Sequence, residues 1–400
     1  MSNIGAIDCY FRHTFCSFIA NISETLRALP IRNFSTPWFA LNWFAHMAYP
    51  TVVMESLVRR ELTAIDIEWS TPQLLEALLR ALAGDGPALT TSPIATTSVA
   101  PEIALVVTTS GSTGSPKSVL LSAKSLISNA RATHQFLGAK VGERWSLLLP
   151  TSHIAGLNIL IRSIELGTVP VSIENRADYT AIVPTQLHRA LTGDTKLFNH
   201  LKGCKSILVG GAPLSDELRS AAASRGLRII TTYGATETCG GVIYDGAPIL
   251  GIEVAIRDGR IAIKGAQLAS GYLDAPLLID DGWFITSDLG EIIDGKLRVL
   301  GRVDDQIISG GEKISLSAVE SYLRTEFANP EIVAFSKIDP EWGEKLCIAT
   351  TQALSIDAVT NKLKAKFGSH ASPKEVHTVN TIPYLELGKP DRKRLANDFA

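Results

Sequence analysis

Cysteine is scarce in this chain and follows no pattern. Cys9, Cys16, Cys204, Cys239 and Cys347 are odd in number, scattered, and lack metal-ligand spacing. That argues against a disulfide-stapled scaffold or a zinc finger and fits a reducing compartment. An excess of either charge is also missing: 38 Lys and Arg stand against 40 Asp and Glu, a net charge of -2. Proteins that work on nucleic acid or an anionic membrane usually carry a basic surface, so neither partner is expected. No internal repeat or heptad is visible. The nearest thing to a long apolar run is Ser35 to Met54, which Asn42, His46 and Pro50 interrupt. A charged start, an apolar block and a small-residue cleavage site do not follow one another. Neither a signal peptide nor stable membrane insertion is therefore expected, and a cytoplasmic location is.

What is present is ordinary globular material, 46% hydrophobic and 20% charged over 400 residues, enough for two or three domains. Residues 1–53 differ from the rest, holding 10 of the 27 aromatic residues but only two acids, Asp8 and Glu24. They read as a peripheral or poorly ordered extension. From Met54 the texture changes. Leu74, Leu75, Leu78, Leu79 and Leu82 have helical spacing, and beyond Pro101 short apolar strands alternate with helical segments. That alternation predicts a layered α/β domain. After Tyr233 hairpins take over, with Asp258-Gly259 and Asp294-Gly295 as turns between alternating strands. Near Arg302 a smaller α+β unit begins, in which Ser317-x-x-Glu320 reads as a capping box opening a helix. The expected fold is α/β: a large layered domain over 54–303 with a hairpin-rich subdomain, then a small mobile domain over 304–400.

The most informative stretch is Thr109-Ser110-Gly111-Ser112-Thr113-Gly114-Ser115-Pro116-Lys117. Gly111 and Gly114 free the backbone to curl, so that successive N–H groups converge on an anion. The hydroxyls of Thr109, Ser110, Ser112 and Thr113 add donors, and Lys117 adds positive charge. A solvated linker has similar composition but seldom follows a buried strand so directly. The loop is not that of a P-loop ATPase, because Lys117 follows proline and leads into another strand rather than a helix.

These residues resemble the phosphate loop of the adenylate-forming family, the acyl- and aryl-CoA synthetases and their relatives, from about residue 70 to the end. The family's further motifs appear in order. Gly210-Gly211-Ala212 resembles its adenine-side loop. Tyr233-Gly234-Ala235-Thr236-Glu237 is similar to its Y-G-x-T-E signature, which implies Tyr233 stacked on adenine, Thr236 at the α-phosphate and Glu237 on Mg²⁺. Asp288 matches the aspartate that accepts from the ribose hydroxyls, Arg302 a nucleotide-binding arginine, and Asp304 the hinge between domains. Gly310 and Gly311 resemble the loop on the coenzyme A side. Lys389 matches the lysine that enters the site for adenylation, with Pro390 a departure from the usual Ile or Leu.

The resemblance implies an ATP-dependent acid–thiol ligase that uses ATP, Mg²⁺ and coenzyme A on a small-molecule carboxylic acid. Members often dimerise, so a homodimer is an expectation. No side-chain nucleophile is required. His153 and Gly156 fall in the segment matching the family's acyl pocket, and Arg162 follows within an apolar helical stretch. A buried guanidinium is costly unless a carboxylate meets it. It could pair with Glu165, snorkel to solvent, or clamp a second substrate carboxylate. The third option resembles one branch of the family, the o-succinylbenzoate–CoA ligases of menaquinone biosynthesis. Another aryl or acyl acid, and a stand-alone domain loading a carrier protein, remain as alternatives.

Overall fold

Helix formation begins where the leucine spacing predicts it. Thr71–Ala83 forms α1, with Leu74, Leu75, Leu78 and Leu82 buried. The Gln73 side chain accepts from the Ser70 N–H at 2.9 Å, and Gly84 ends the helix at φ 86°. Such ends satisfy backbone groups that a bare helix terminus leaves unpaired. The computed structural model describes residues 59–109, 116–329, 331–385 and 390–399, so the 1–53 extension lies outside them.

The first sheet contains β1 (Arg60–Ala64), β2 (Ala88–Thr90), β3 (Ser98–Val99), β4 (Ile103–Thr109) and β5 (Lys117–Ser122). A later two-residue strand, Gly271–Tyr272, pairs with the outer side of β5. The second contains β6 (Trp145–Ser146), β7 (Tyr179–Ile182), β8 (Ser206–Val209), β9 (Ile229–Ala235), β10 (Gly240–Tyr244) and β11 (Ala247–Pro248). Strands β6 to β9 run parallel in sequence order, and β10 then pairs antiparallel with β9. Two helices, α2 (Ala123–Leu137) and α3 (Ile154–Glu165), lie between these sheets. Helix α3 is apolar nearly all round because it is buried nearly all round: Leu157, Leu160 and Ile161 join one core, and Ile159 the other. On its other face the second sheet packs against α4 (Pro184–Thr192), α5 (Thr195–Lys202) and α6 (Asp216–Ser224).

The third sheet is the expected hairpin region. Strands β12 (Ile252–Arg257) and β13 (Arg260–Gly265) meet at Asp258 and Gly259, at φ 50° and 74°. Both central residues therefore have the positive φ that a type I′ turn demands. After β14 (Gly271–Tyr272) and β15 (Ile279–Asp280), β16 (Trp283–Ile293) and β17 (Lys296–Arg302) repeat the device at Asp294-Gly295. The last sheet has β18 (Gln306–Ser309), β19 (Glu312–Ser315), β20 (Ile332–Asp339), β21 (Gly343–Thr350) and β22 (Glu375–Thr378). Helices α7 (Leu316–Glu326) and α8 (Ile356–Phe367) pack on one face, and α9 (Arg392–Asp398) joins the other.

Three local expectations are corrected. Helix α7 is capped by Ser315, whose hydroxyl accepts from the Ala318 N–H, so Ser317 and Glu320 form no capping box. Glu320 instead turns into the core, accepting from the Ala334 N–H at 3.0 Å and from Arg392 at 2.8 Å. The short apolar run Trp145–Leu149, which by its sequence reads as one of the buried strands, is strand only over its first two residues. The sequence Gly210-Gly211-Ala212-Pro213 reads as ending a strand and starting a helix, but α6 starts only at Asp216, under the Ser215 hydroxyl. Among the described residues no helix is long and apolar enough to cross a membrane.

Candidate active site

Parallel strands β7 to β9 end on the same side, and loops at such carboxyl ends are where open α/β sheets bind ligands. Gly210, Gly211 and Ala212 follow the end of β8, and Tyr233 and Gly234 lie at the carboxyl end of strand β9. Glycine at 234 is a steric requirement: a Cβ there would sit 2.0 Å from the Gly240 carbonyl oxygen. The chain then tightens into a 3-10 turn, Thr236–Thr238, held by the Thr238 hydroxyl accepting from the Ala235 N–H at 2.8 Å. This turn presents Thr236 and Glu237.

Glu237 meets the end of the phosphate loop. Strands β4 and β5 pair antiparallel with Thr109 opposite Lys117, and the Thr109 hydroxyl donates to the Lys117 carbonyl at 3.3 Å. The loop joins two strands, as its sequence predicts. Ser110, Gly111, Ser112, Thr113 and Gly114 lie outside the described residues. Beside β5, Tyr272 donates its hydroxyl to Glu237 Oε1 at 2.9 Å, and Lys117 Nζ lies 5.5 Å from its ring centroid. Among the described residues no cluster of three His, Cys, Asp or Glu side chains forms a protein-only metal cage. Magnesium bound with a nucleotide needs only one or two carboxylates beside phosphate oxygens and water, so the donor chemistry of Glu237 fits it.

A second group of residues, far apart in sequence, converges nearby in the same fold. The Tyr233 hydroxyl donates to Asp288 Oδ2 at 2.6 Å, and Arg302 donates to Asp288 Oδ1 at 3.2 Å. Arg302 also grips Asp304 with two prongs, at 2.7 and 2.8 Å. Burial and the Asp288 carboxylate push the Tyr233 phenol well up, so it stays protonated and donates. The same contact fixes the plane of its ring. Each Asp288 oxygen already serves one protein donor, yet a carboxylate oxygen can accept twice, which leaves capacity for ribose hydroxyls.

The acyl-pocket candidates cluster on α3. His153 caps the helix, and Gly156 lies so close to the preceding turn that a Cβ would sit 2.2 Å from the Pro150 oxygen. Arg162 is 4% exposed, so it does not snorkel. Nor does it pair with Glu165, which Arg131 takes at 2.6 Å. Its Nη2 donates to the hydroxyls of Thr133 at 3.4 Å and Tyr244 at 3.3 Å, and its guanidinium lies 5.0 Å from the Trp145 ring centroid. Nε has no partner. Burial pulls the Arg162 pKa below its ordinary value, and among the described residues no carboxylate offsets that cost. The neighbouring His134, buried and beside Arg162, is held down at about 4.

Gly310 and Gly311 form the tight turn between β18 and β19, both at positive φ, with Trp342 packed on Gly310. Lys389 lies outside the described residues. Around it Tyr384 and Pro390 form a bridge, and the Asp391 N–H donates to the Pro383 carbonyl at 2.9 Å. Sequence reasoning missed Tyr272, Thr133, Tyr244 and Trp145, because each matters through a partner distant in the chain and none sits in a chemical motif.

Comparison with known proteins bears on these groupings. Residues 55–273 match the family described as AMP-binding enzyme, more than half of the chain. A Mycobacterium tuberculosis protein named "Probable 2-succinylbenzoate--CoA ligase" is 35% identical over 371 residues, covering 83% of this chain and 96% of that protein. This chain belongs to the AMP-binding, adenylate-forming enzyme family. The matched segment of this AMP-binding enzyme holds the phosphate loop, Gly210-Gly211, Tyr233 to Glu237, and Tyr272; Asp288 and Arg302 lie beyond it. The 2-succinylbenzoate–CoA ligase of Escherichia coli is 29% identical over 346 residues, covering 79% of this chain and 75% of that one. The o-succinylbenzoate coenzyme A synthetase of Bacillus subtilis, solved with ATP and a magnesium ion, superposes with a TM-score of 0.65. It covers 86% of this chain and 91% of that one at 22% identity, a likeness that speaks for the fold.

Proposed function

We propose that this chain is an AMP-forming acid–thiol ligase whose acid is 2-succinylbenzoate. The substrate carboxylate attacks the α-phosphorus of ATP, giving the acyl-adenylate and diphosphate. The coenzyme A thiolate then attacks the acyl carbonyl, forming the thioester and releasing AMP. Menaquinone biosynthesis is the setting that the resemblance to the o-succinylbenzoate–CoA ligases implies.

The residues take the following parts. Tyr233 offers its ring to adenine, with Gly210, Gly211 and Ala212 alongside, while Asp288 and Arg302 hold the ribose side. Thr109 to Gly114 and Lys117 receive the phosphates, and Thr236 approaches the α-phosphate. Glu237 would hold Mg²⁺, which when bound neutralises charge building on the phosphoryl oxygens. Lys389 supplies the mobile cation for adenylation. The hydrophobic cores support a two-domain reading, since four draw only on residues 62–297 and two only on residues 307–399. On this reading the boundary lies beside Asp304, the proposed hinge, with Gly310 and Gly311 on the moving side with the thiol. A cytoplasmic homodimer completes the proposal.

The observation that carries the substrate is Arg162, a buried guanidinium with hydroxyls but, among the described residues, no carboxylate around it. A diacid brings the missing anion, while His153 and Gly156 border the part that reacts. The test is AMP release with ATP, magnesium, coenzyme A and a panel of aromatic and dicarboxylic acids. 2-Succinylbenzoate should give the highest kcat/KM. A monoacid turning over equally well would replace the substrate, and diphosphate exchange without coenzyme A turnover would favour a carrier-protein loader.

A further inference from the structure

Tyr272 belongs to neither the phosphate loop nor the signature turn, yet it touches both. Strand β14 pairs Tyr272 with Val119 on β5, two residues past Lys117. Its neighbour along the chain, Ala269, donates its N–H to the Glu237 carbonyl at 2.8 Å. The Tyr272 hydroxyl closes the connection, donating to Glu237 Oε1 at 2.9 Å, with Lys117 Nζ 5.5 Å from the ring centroid. One side chain thus joins the cation that ends the phosphate loop to the carboxylate that follows β9. A phenol carries the only proton in this contact and an ionised carboxylate can only accept, so the direction of donation is set.

We propose that Tyr272 is a positioning residue: by occupying Oε1 it fixes the Glu237 rotamer and presents the other carboxylate oxygen to the magnesium of MgATP. The inference rests on the reading that Glu237 is the metal carboxylate. Without the phenol, a free glutamate side chain samples several rotamers and is drawn toward Lys117, an ammonium that phosphate would otherwise engage. Partners that orient a ligating carboxylate commonly govern metal affinity by about 10-fold or more. The ring keeps a second task, because its face lies near Lys117 whether or not the hydroxyl is present.

Tyr272→Phe removes the hydroxyl alone and keeps the ring, the strand pairing and the packing. The binding readout is calorimetric titration of ATP into the full-length protein, without the acid, over a range of magnesium concentrations. The kinetic readout is acyl-adenylate formation over the same range, beside thioester formation from synthetic acyl-adenylate, which uses no magnesium nucleotide. Half-saturating magnesium should rise on the order of 10-fold in both ATP binding and adenylation, with the thioester step unchanged. Saturating magnesium should restore most of the adenylation rate. An unchanged magnesium midpoint, or equal loss in both half-reactions, would overturn the proposal. Glu237→Gln separates it from the reading beneath it. If that variant also leaves the magnesium midpoint unmoved, Glu237 is not the metal carboxylate; if it alone moves the midpoint, only the role of Tyr272 fails.

Discussion

Arg162 separates a functional arginine from a structural one. Its guanidinium makes two long hydrogen bonds to neutral hydroxyls and lies over Trp145, and among the described residues Nε has no partner. Each such bond contributes about 0.5–1.5 kcal/mol net, and the aromatic contact adds about 2 kcal/mol when desolvated. Against these stands a desolvation cost of several kcal/mol for one buried ion. The two hydroxyls do not depend on the arginine, because Thr133 and Tyr244 lie 2.9 Å apart and bond to each other. Arg162→Met should therefore fold with a melting temperature near or above that of the wild type. Its substrate binding should suffer: losing a desolvated charge pair with the second carboxylate costs on the order of 2–5 kcal/mol. At the lower figure that is roughly a 30-fold fall in kcat/KM for 2-succinylbenzoate. Arg162→Lys should recover part, since an ammonium cannot make the two-pronged contact. Steady-state kinetics with the diacid and with a monoacid lacking the ring carboxylate, beside thermal melts, decide the matter. The KM for ATP should hardly change. Retained preference for the diacid, or a large loss of stability, would refute the reasoning and make Arg162 a structural residue.

Two further outcomes are expected. Lys389→Ala should slow adenylation roughly 10²–10³-fold while thioester formation from acyl-adenylate survives, and equal damage to both would refute domain alternation. His134 is held at about 4, first by burial and then by Arg162, and accepts from the Trp145 indole N–H at 3.3 Å. Between that value and the ordinary 6.5 the unfolded chain binds the extra proton, so stability is full above about pH 6.5 and falls as pH drops toward 4. Urea melts across this range should show the slope, and His134→Gln should flatten it; His200, also lowered by burial, leaves a remainder.

Local signals in this chain were readable because they are short-range. The leucines of α1 and the Asp-Gly hairpins repeat within a few residues, and the stretch Ile356–Phe367, whose sequence reads as a helix, forms α8 over those bounds. The Ser317–Glu320 pattern misled because two serines, Ser315 and Ser317, compete within one turn, and tertiary partners draw Glu320 into the core. For the site, Tyr233, Asp288 and Arg302 were each legible as motif members. That they bond to one another was not, since Tyr233 and Asp288 lie 55 residues apart. Arg162 was legible only as a puzzle. Its hydroxyl partners stand 29 and 82 residues away and carry no local mark.

The central claim, activation of the acid as an acyl-adenylate, is tested most directly by following oxygen. A substrate whose reacting carboxylate carries ¹⁸O at both oxygens is turned over with ATP, magnesium and coenzyme A, and the products are weighed by mass spectrometry. Attack of the carboxylate on the α-phosphorus leaves one of its oxygens on that phosphorus when the thiolate takes the acyl group. The account predicts one ¹⁸O in AMP, none in diphosphate, and one in the thioester carbonyl. Unlabelled AMP, or label in orthophosphate beside ADP, would contradict it.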